Sequence, residues 1–232
     1  AVCLSDFFDG EYDITIMPLI RLWGFYKEQR LRVPSRSEIE KVKPLIDYQN
    51  IEIDSNRNRV RIARGQEIIT GSFVKAYAVD KLRDKMIALG INDAVVNAGG
   101  STILAMNNKV HPCWQIAVRD SDNEDLLFNL NIGDCSYSTS SQSKTFVDIG
   151  GNHYGHILSP RSGMPSLNRH VGIVSDSAMI GDIVSTGLYN QTPEGFLQKI
   201  EQLKQHSYNL EGFIIDGDGN TTFSEGFSQY IS

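Results

Sequence analysis

Asp182 and Thr186 stand four residues apart in the run Gly181-Asp182-Ile183-Val184-Ser185-Thr186, so on a helix they share one face. A carboxylate beside a hydroxyl, completed by a backbone carbonyl and phosphate oxygens, suits Mg²⁺, which takes few protein ligands. The competing reading is a solvated helix acid with a threonine that packs sideways. Upstream, His156 precedes an apolar pair and the turn Pro160-Arg161-Ser162-Gly163. It is either a structural histidine at a strand end or a general base, because imidazole titrates near neutrality. Arg161 is either a phosphate contact or a turn-surface charge. Lys75 and Asp80, early in a long helical run, read as surface charges, although a lysine near a helix start can also meet a phosphate. Residues 154–186 thus hold a candidate site, with a possible base, a phosphate-sized turn and oxygens of the metal-ligand type.

Several alternatives lack their signatures. There is no GxxxxGK[ST] loop and no strand followed by GxGxxG, so neither a P-loop enzyme nor a Rossmann dehydrogenase is supported. Ser141, Ser159 and Ser162 lie near His156 in sequence, but no GxSxG elbow accompanies them. Cys3, Cys113 and Cys135 lack zinc-site spacing and allow at most one disulfide. A net charge of −6 argues against a nucleic-acid partner. The chain has 232 residues, 41% hydrophobic and 22% charged, as in an ordinary globular protein able to bury a core. No apolar run approaches the roughly 20 residues that span a bilayer. Ala1-Val2-Cys3 lacks the basic and apolar regions of a signal peptide. Leu4, Phe7 and Phe8 read as the end of a packed helix rather than as the sequel to a lipidated cysteine, so the chain is expected to begin inside an element.

The elements that must position these groups follow from periodicity and caps. Met17 to Phe25 is apolar at helical spacing behind Pro18, with Trp23 as a core plug, and 26–34 is a polar, basic surface loop. Ser35 and Glu38 form a capping box for a helix toward Leu45. Residues 51–53 and 60–62 form a hairpin. A long amphipathic helix places Phe73, Ala76, Tyr77, Leu82, Met86 and Leu89 on one face and ends at Gly90. Residues 94–98 read as a buried strand running into the Gly99-Gly100 turn. Trp114-Ile116-Val118 and Leu126-Phe128-Leu130-Ile132 alternate as half-buried strands joined by an acidic loop over 120–125. Residues 136–143 are hydroxyl-rich, a polar loop. A strand over 170–175, a helix from Ala178 capped by 175–177, a helix from Pro193 to near His206, and a hairpin of 210–216 with 221–227 complete the chain. The Asp216-Gly217-Asp218-Gly219 run lacks the later glutamate of a calcium loop and reads as a turn. The expectation is an α+β chain with a largely antiparallel sheet.

The order of the motifs carries more than any one of them. Asp9-Gly10-Glu11-Tyr12-Asp13-Ile14-Thr15, Pro18-Leu19, Leu22-Trp23-Gly24-Phe25, Lys75-Ala76-Tyr77-Ala78-Val79-Asp80 and Asn97-Ala98-Gly99-Gly100 come first. Trp114, Ser138-Thr139-Ser140, the run from His156 to Pro165, and the run from Gly181 to Thr186 follow. As an ordered set over essentially the whole chain, these resemble the ApbE family of FAD:protein FMN transferases. The resemblance implies one ApbE-like domain over 1–232 of the T-fold type, with the N-terminal part of the family domain missing. It implies FAD as substrate, Mg²⁺ on the diphosphate, and transfer of FMN to a threonine hydroxyl of an acceptor flavoprotein with release of AMP. Typical acceptors are subunits of ion-pumping redox complexes, which implies a periplasmic or cell-envelope location and a lipid anchor on a missing N-terminus. Some members instead act as an FAD pyrophosphatase, and a catalytically weakened FAD-binding protein is a third form. Residue by residue, Asp182 and Thr186 match the metal ligands, with Val74 offering a backbone carbonyl. His156 matches the base, Glu11, Tyr12 and Asp13 a flavin-contacting segment, and Gly71 a nucleotide contact. Lys75 and Arg161 are assigned to the phosphates. The chain departs from the family's pattern at Ile69, Ala76, Ser141 and Ser159, the last in place of an aspartate.

Overall fold

The computed structural model of the chain describes residues 1–26, 32–120, 123–142 and 145–232. Most of the expected loop over 26–34, part of the acidic loop over 120–125, and Ser143 lie outside the described residues. The chain opens with α1 (Val2–Phe7), after which buried Phe8 meets Phe7 and Tyr12 edge-on. Helix α2 (Met17–Trp23) carries Pro18 in its first turn, where a missing N–H costs nothing, and stops at Gly24 with φ 85°. Helix α3 (Arg36–Val42) has both halves of the Ser35–Glu38 capping box and continues into a 3₁₀ turn, Lys43–Leu45. Strands β1 (Glu52–Asp54) and β2 (Arg59–Arg61) make the expected antiparallel hairpin.

Helix α4 (Val74–Ala88) buries Ala76 and Val79, while Tyr77, Leu82 and Leu89 are exposed. Of the face expected from side-chain size, Ala76 packs fully and Met86 in part, while these three larger residues face outward. Small residues let α4 approach its neighbours closely, and Leu104, Met106 and Ala178 close over them. Strand β3 (Ala94–Asn97) is alternately exposed at a sheet edge, not buried throughout. Gly99 and Gly100 turn the chain with φ of 72° and 79° into β4 (Thr102–Met106), a fully buried strand that periodicity did not flag. Strands β5 (Trp114–Arg119) and β6 (Leu126–Ile132) form the predicted alternating hairpin. Residues expected as a hydroxyl-rich loop form β7 (Ser136–Ser141), and its serines 136, 138 and 140 are buried. They alternate on one face, and short hydroxyls are tolerated there because each finds a partner on neighbouring backbone or side chains.

A hairpin of β8 (Phe146–Ile149) and β9 (Asn152–Gly155) turns at Gly150-Gly151, both at positive φ. Strand β10 (His170–Ser175) is buried along its length and leads into α5 (Ala178–Gly187), N-capped by Ser177. Helix α6 (Pro193–Gln205), capped by Thr192, precedes β11 (Leu210–Ile215) and the short β12 (Thr221–Phe223). The final hairpin is shorter than expected, because the chain enters a 3₁₀ helix at Glu225. The Asp216 carboxylate accepts from the Asp218 and Asn220 N–H groups, closing a turn as anticipated.

The fold is α+β, and every strand pairing among the described residues is antiparallel. The chain divides into two compact units, Ala1–Thr70 with Gln142–Ser166, and Gly71–Ser141 with Leu167–Ser232. In the first, α2 and α3 pack around Leu19, Trp23, Ile39 and Leu158. In the second, a six-stranded sheet of order β12-β11-β10-β7-β4-β3 carries α5 against β7 and β10, with α4 beside α5. The three cysteines are unpaired.

Candidate functional site

In the second unit the acid of the Asp182–Thr186 pair is not a solvated one. Asp182 is 5% exposed, and its Oδ2 is buried without a hydrogen-bond partner. Burial pushes its carboxyl up to about 7, and nearby Lys75 draws it down only in part. The Thr186 hydroxyl donates to the Asp182 carbonyl at 3.0 Å, and Ser185 donates to the same oxygen at 3.0 Å. From β7, Ser140 Oγ lies 2.9 Å from Ser185 Oγ and 3.1 Å from Thr186 Oγ1. A glycine lets the helix sit this close: a Cβ on Gly181 would meet Ser175 Oγ at 2.7 Å and Ser138 Oγ at 2.9 Å.

Helix α4 supplies the cation. Lys75 is half-buried and donates to the Ser101 hydroxyl. Val74 opens α4 immediately before it, with an exposed side chain, and Gly71 is exposed with open space where a Cβ would point. Asp80, expected as a surface charge, instead accepts from Ser177 Oγ at 2.7 Å and from the Ala178 and Met179 N–H groups at 2.8 and 3.0 Å. Sequence reasoning missed it because those partners lie some 97 residues further on.

The residues fit a magnesium ion. Among the described residues no cluster of three His, Cys, Asp or Glu side chains could hold a metal. One buried carboxylate lacking a donor, with a hydroxyl a turn away, is instead compatible with Mg²⁺, which takes few protein ligands.

In the first unit, the His156 Nδ1–H donates to the Thr145 carbonyl at 3.1 Å. That bond fixes the neutral tautomer, so Nε2 keeps its lone pair. Burial lowers the imidazole below its ordinary value and so favours the base form, with the Thr145 carbonyl opposing it. Phe25 meets the ring edge-on. The turn after His156 is held by the Trp23 indole N–H, which donates to the Gly163 carbonyl at 2.8 Å, and by the Ser162 N–H, which donates to Ser159 Oγ at 3.1 Å. Ser159 also bonds the Glu11 carboxylate, whose carboxyl is raised chiefly by burial. Arg161 is exposed, 3.9 Å from Glu11. Glu11 Oε2 is buried without a partner, whereas Asp13 gives its oxygens to the Thr15 N–H and hydroxyl and to the Tyr48 N–H. Tyr12 is buried. Of the three residues of that segment, Glu11 alone keeps a carboxylate oxygen uncommitted.

In this antiparallel α+β unit a buried acid and a hydroxyl lie beside a lysine, groups suited to a cation and a phosphate. The chain belongs to the ApbE family, whose model matches residues 1–210. It is 28% identical to the FAD:protein FMN transferase of Vibrio cholerae over 193 residues, 81% of this chain and 58% of that protein. It is 27% identical to the FAD:protein FMN transferase of Escherichia coli over 195 residues, 80% of this chain and 55% of that protein. The chain therefore spans little more than half the length of these relatives. The crystal structure of the ApbE protein of Thermotoga maritima superposes with a TM-score of 0.88 at 27% identity, covering 100% of this chain and 75% of that one. The flavinyl transferase ApbE of Pseudomonas stutzeri gives 0.79 at 28% identity, covering 98% and 71%.

Proposed function

We propose that the chain carries the catalytic machinery of an FAD:protein FMN transferase, moving FMN from FAD to a threonine hydroxyl of an acceptor flavoprotein and releasing AMP. The observation that carries this reading is the buried Asp182 carboxylate, unpartnered at Oδ2, beside Thr186 and Lys75 in a chain of the ApbE family. Asp182 and Thr186, with the backbone at Val74, would hold Mg²⁺. Bound there, the ion would offset negative charge on the FAD diphosphate. Lys75 adds a fixed positive charge. His156 is assigned the base: its Nε2 accepts the proton of the acceptor hydroxyl as that oxygen bonds the FMN phosphorus and the bond to the AMP phosphate breaks. Glu11, Tyr12, Asp13, Gly71 and Arg161 are assigned to nucleotide binding. Of these, Arg161 has an exposed guanidinium, and Glu11 has a buried Oε2 without a hydrogen-bond partner.

The acceptor we infer is a subunit of an ion-pumping redox complex at the cell envelope, with the enzyme in the periplasm and held by a lipid anchor. Incubation with FAD, Mg²⁺ and such a subunit should yield covalent, fluorescent flavin on the acceptor and an equivalent of AMP. If neither forms, the transferase reading fails. AMP without an acceptor would select the pyrophosphatase, and retained FAD with no reaction the weakened binding protein.

A further inference from the structure

Asp80 is a half-buried acid beside the start of α5 to which the reaction gives no role. Helix α5 already has a cap of its own, since Ser177 Oγ accepts from the Ile180 N–H at 3.3 Å. A second cap comes from α4: the Asp80 carboxylate takes the Ala178 and Met179 N–H groups and the Ser177 hydroxyl proton. Those N–H groups are donors that no intrahelical carbonyl reaches. An ionised acceptor makes the bonds short and strong, and its charge lies at the positive end of the α5 dipole.

The sheet also holds α5. Toward the sheet it is seated against Ser138 and Ser175, with no room for a Cβ at Gly181, and the Ser138 hydroxyl donates to the Ala178 carbonyl at 3.2 Å. Ser140 of β7 also meets Ser185 and Thr186 at 2.9 and 3.1 Å, so the sheet ties the middle of the helix while Asp80 ties its start to α4. The same helix carries Lys75, whose charge acts on Asp182. Helix α4 therefore holds the start of α5 through Asp80 and faces its acid through Lys75.

We propose that Asp80 is a positioning residue for the metal pair. By fixing the axial register of α5, it sets where Asp182 and Thr186 present their oxygens relative to Lys75. The inference rests on the reading of Asp182 and Thr186 as Mg²⁺ ligands. A cap that served stability alone would lower the melting temperature and leave metal affinity unchanged.

The test is Mn²⁺ binding to the whole 232-residue chain, metal alone, followed by electron paramagnetic resonance, with circular dichroism to establish folding. Asp182→Asn reports on the metal site itself and should nearly abolish binding. Asp80→Ala should weaken Mn²⁺ by about tenfold or more, the scale of lost outer-shell support. Asp80→Asn, which keeps one acceptor oxygen, should fall between, and carries the test should the alanine variant not fold. Wild-type Mn²⁺ affinity in folded Asp80→Asn and Asp80→Ala, with binding lost in Asp182→Asn, overturns the role of Asp80 and leaves the metal site standing. Equal binding by wild type and Asp182→Asn overturns the metal reading, and the inference with it.

Discussion

The Thr186 hydroxyl spends its proton on the carbonyl oxygen of Asp182, one turn back on α5, at 3.0 Å. Ser185 does the same at 3.0 Å. Two hydroxyls beside a buried carboxylate thus turn their protons to its backbone, and Asp182 Oδ2 is left without a donor. An ionised carboxylate in that position is costly unless a cation joins it. The pair is built to be incomplete.

Asp182→Asn should therefore separate stability from function. Removing the charge should raise the melting temperature of the metal-free protein at pH 8. At pH 5 the gain should be smaller, because the native carboxyl, raised to about 7, is still protonated and only the unfolded chain has lost its proton. Metal-dependent turnover should fall by about a thousandfold or more, the scale of a lost electrostatic contribution. A lower melting temperature at pH 8 than at pH 5, relative to wild type, would contradict the assignment of a buried charge.

The same shift sets a pH dependence for metal binding. The folded pKa of Asp182 lies above its unfolded value, so the native state holds the proton more tightly. The stability this confers is complete below about pH 4, declines as pH rises, and is fully lost above about 7. A cation competes for the same oxygens, so Mg²⁺ should raise the melting temperature more at pH 8 than at pH 5.5. Differential scanning fluorimetry across that range checks it, and a shift independent of pH would place the metal elsewhere.

For His156 the burial shift runs the other way. Its imidazole titrates below the ordinary 6.5, so the base form prevails at neutral pH and protonation opposes folding as pH falls. At saturating Mg²⁺ the acid limb of the transfer rate should lie below pH 6.5. His156→Gln should remove that limb and cost about 10²- to 10⁴-fold in rate, as expected for loss of a general base. A quench-flow pH profile distinguishes this from a binding defect, which would raise KM for the acceptor instead.

What the sequence disclosed follows from the range of the physics involved. Helices α2, α3 and α5 announce themselves through proline, a capping box and Ser177, all within a turn of the element they start. The Asp182–Thr186 spacing is equally local. Burial of Asp182 is not, because it depends on β7 and α4 arriving from elsewhere in the chain. Strand β7 looked polar because its serines are satisfied by α5 and β10, which sequence alone does not place against them. The packed face of α4 was legible only in part for a related reason: close approach keeps Ala76 in the contact and leaves larger Tyr77 outside it. Asp80 could not be distinguished from a surface acid until its partners at the start of α5 were seen.

Gly181 offers a last check on how tightly the sheet holds α5. An alanine there gains roughly 1 kcal/mol of helix propensity. Its Cβ, however, would lie 2.7 Å from Ser175 Oγ and 2.9 Å from Ser138 Oγ, both well inside contact distance. Overpacking of this kind typically costs about 1–3 kcal/mol, so Gly181→Ala should be net destabilising. The strain falls next to Asp182, so Mg²⁺ affinity should drop as well. Serine-to-alanine changes at 138 and 175 remove the two opposing oxygens and should restore part of both losses when combined with Gly181→Ala. Chemical denaturation of the combined and separate variants measures the coupling. Additive effects would mean that α5 yields without pressing on those serines, and that the glycine is not what sets the depth of the metal pair.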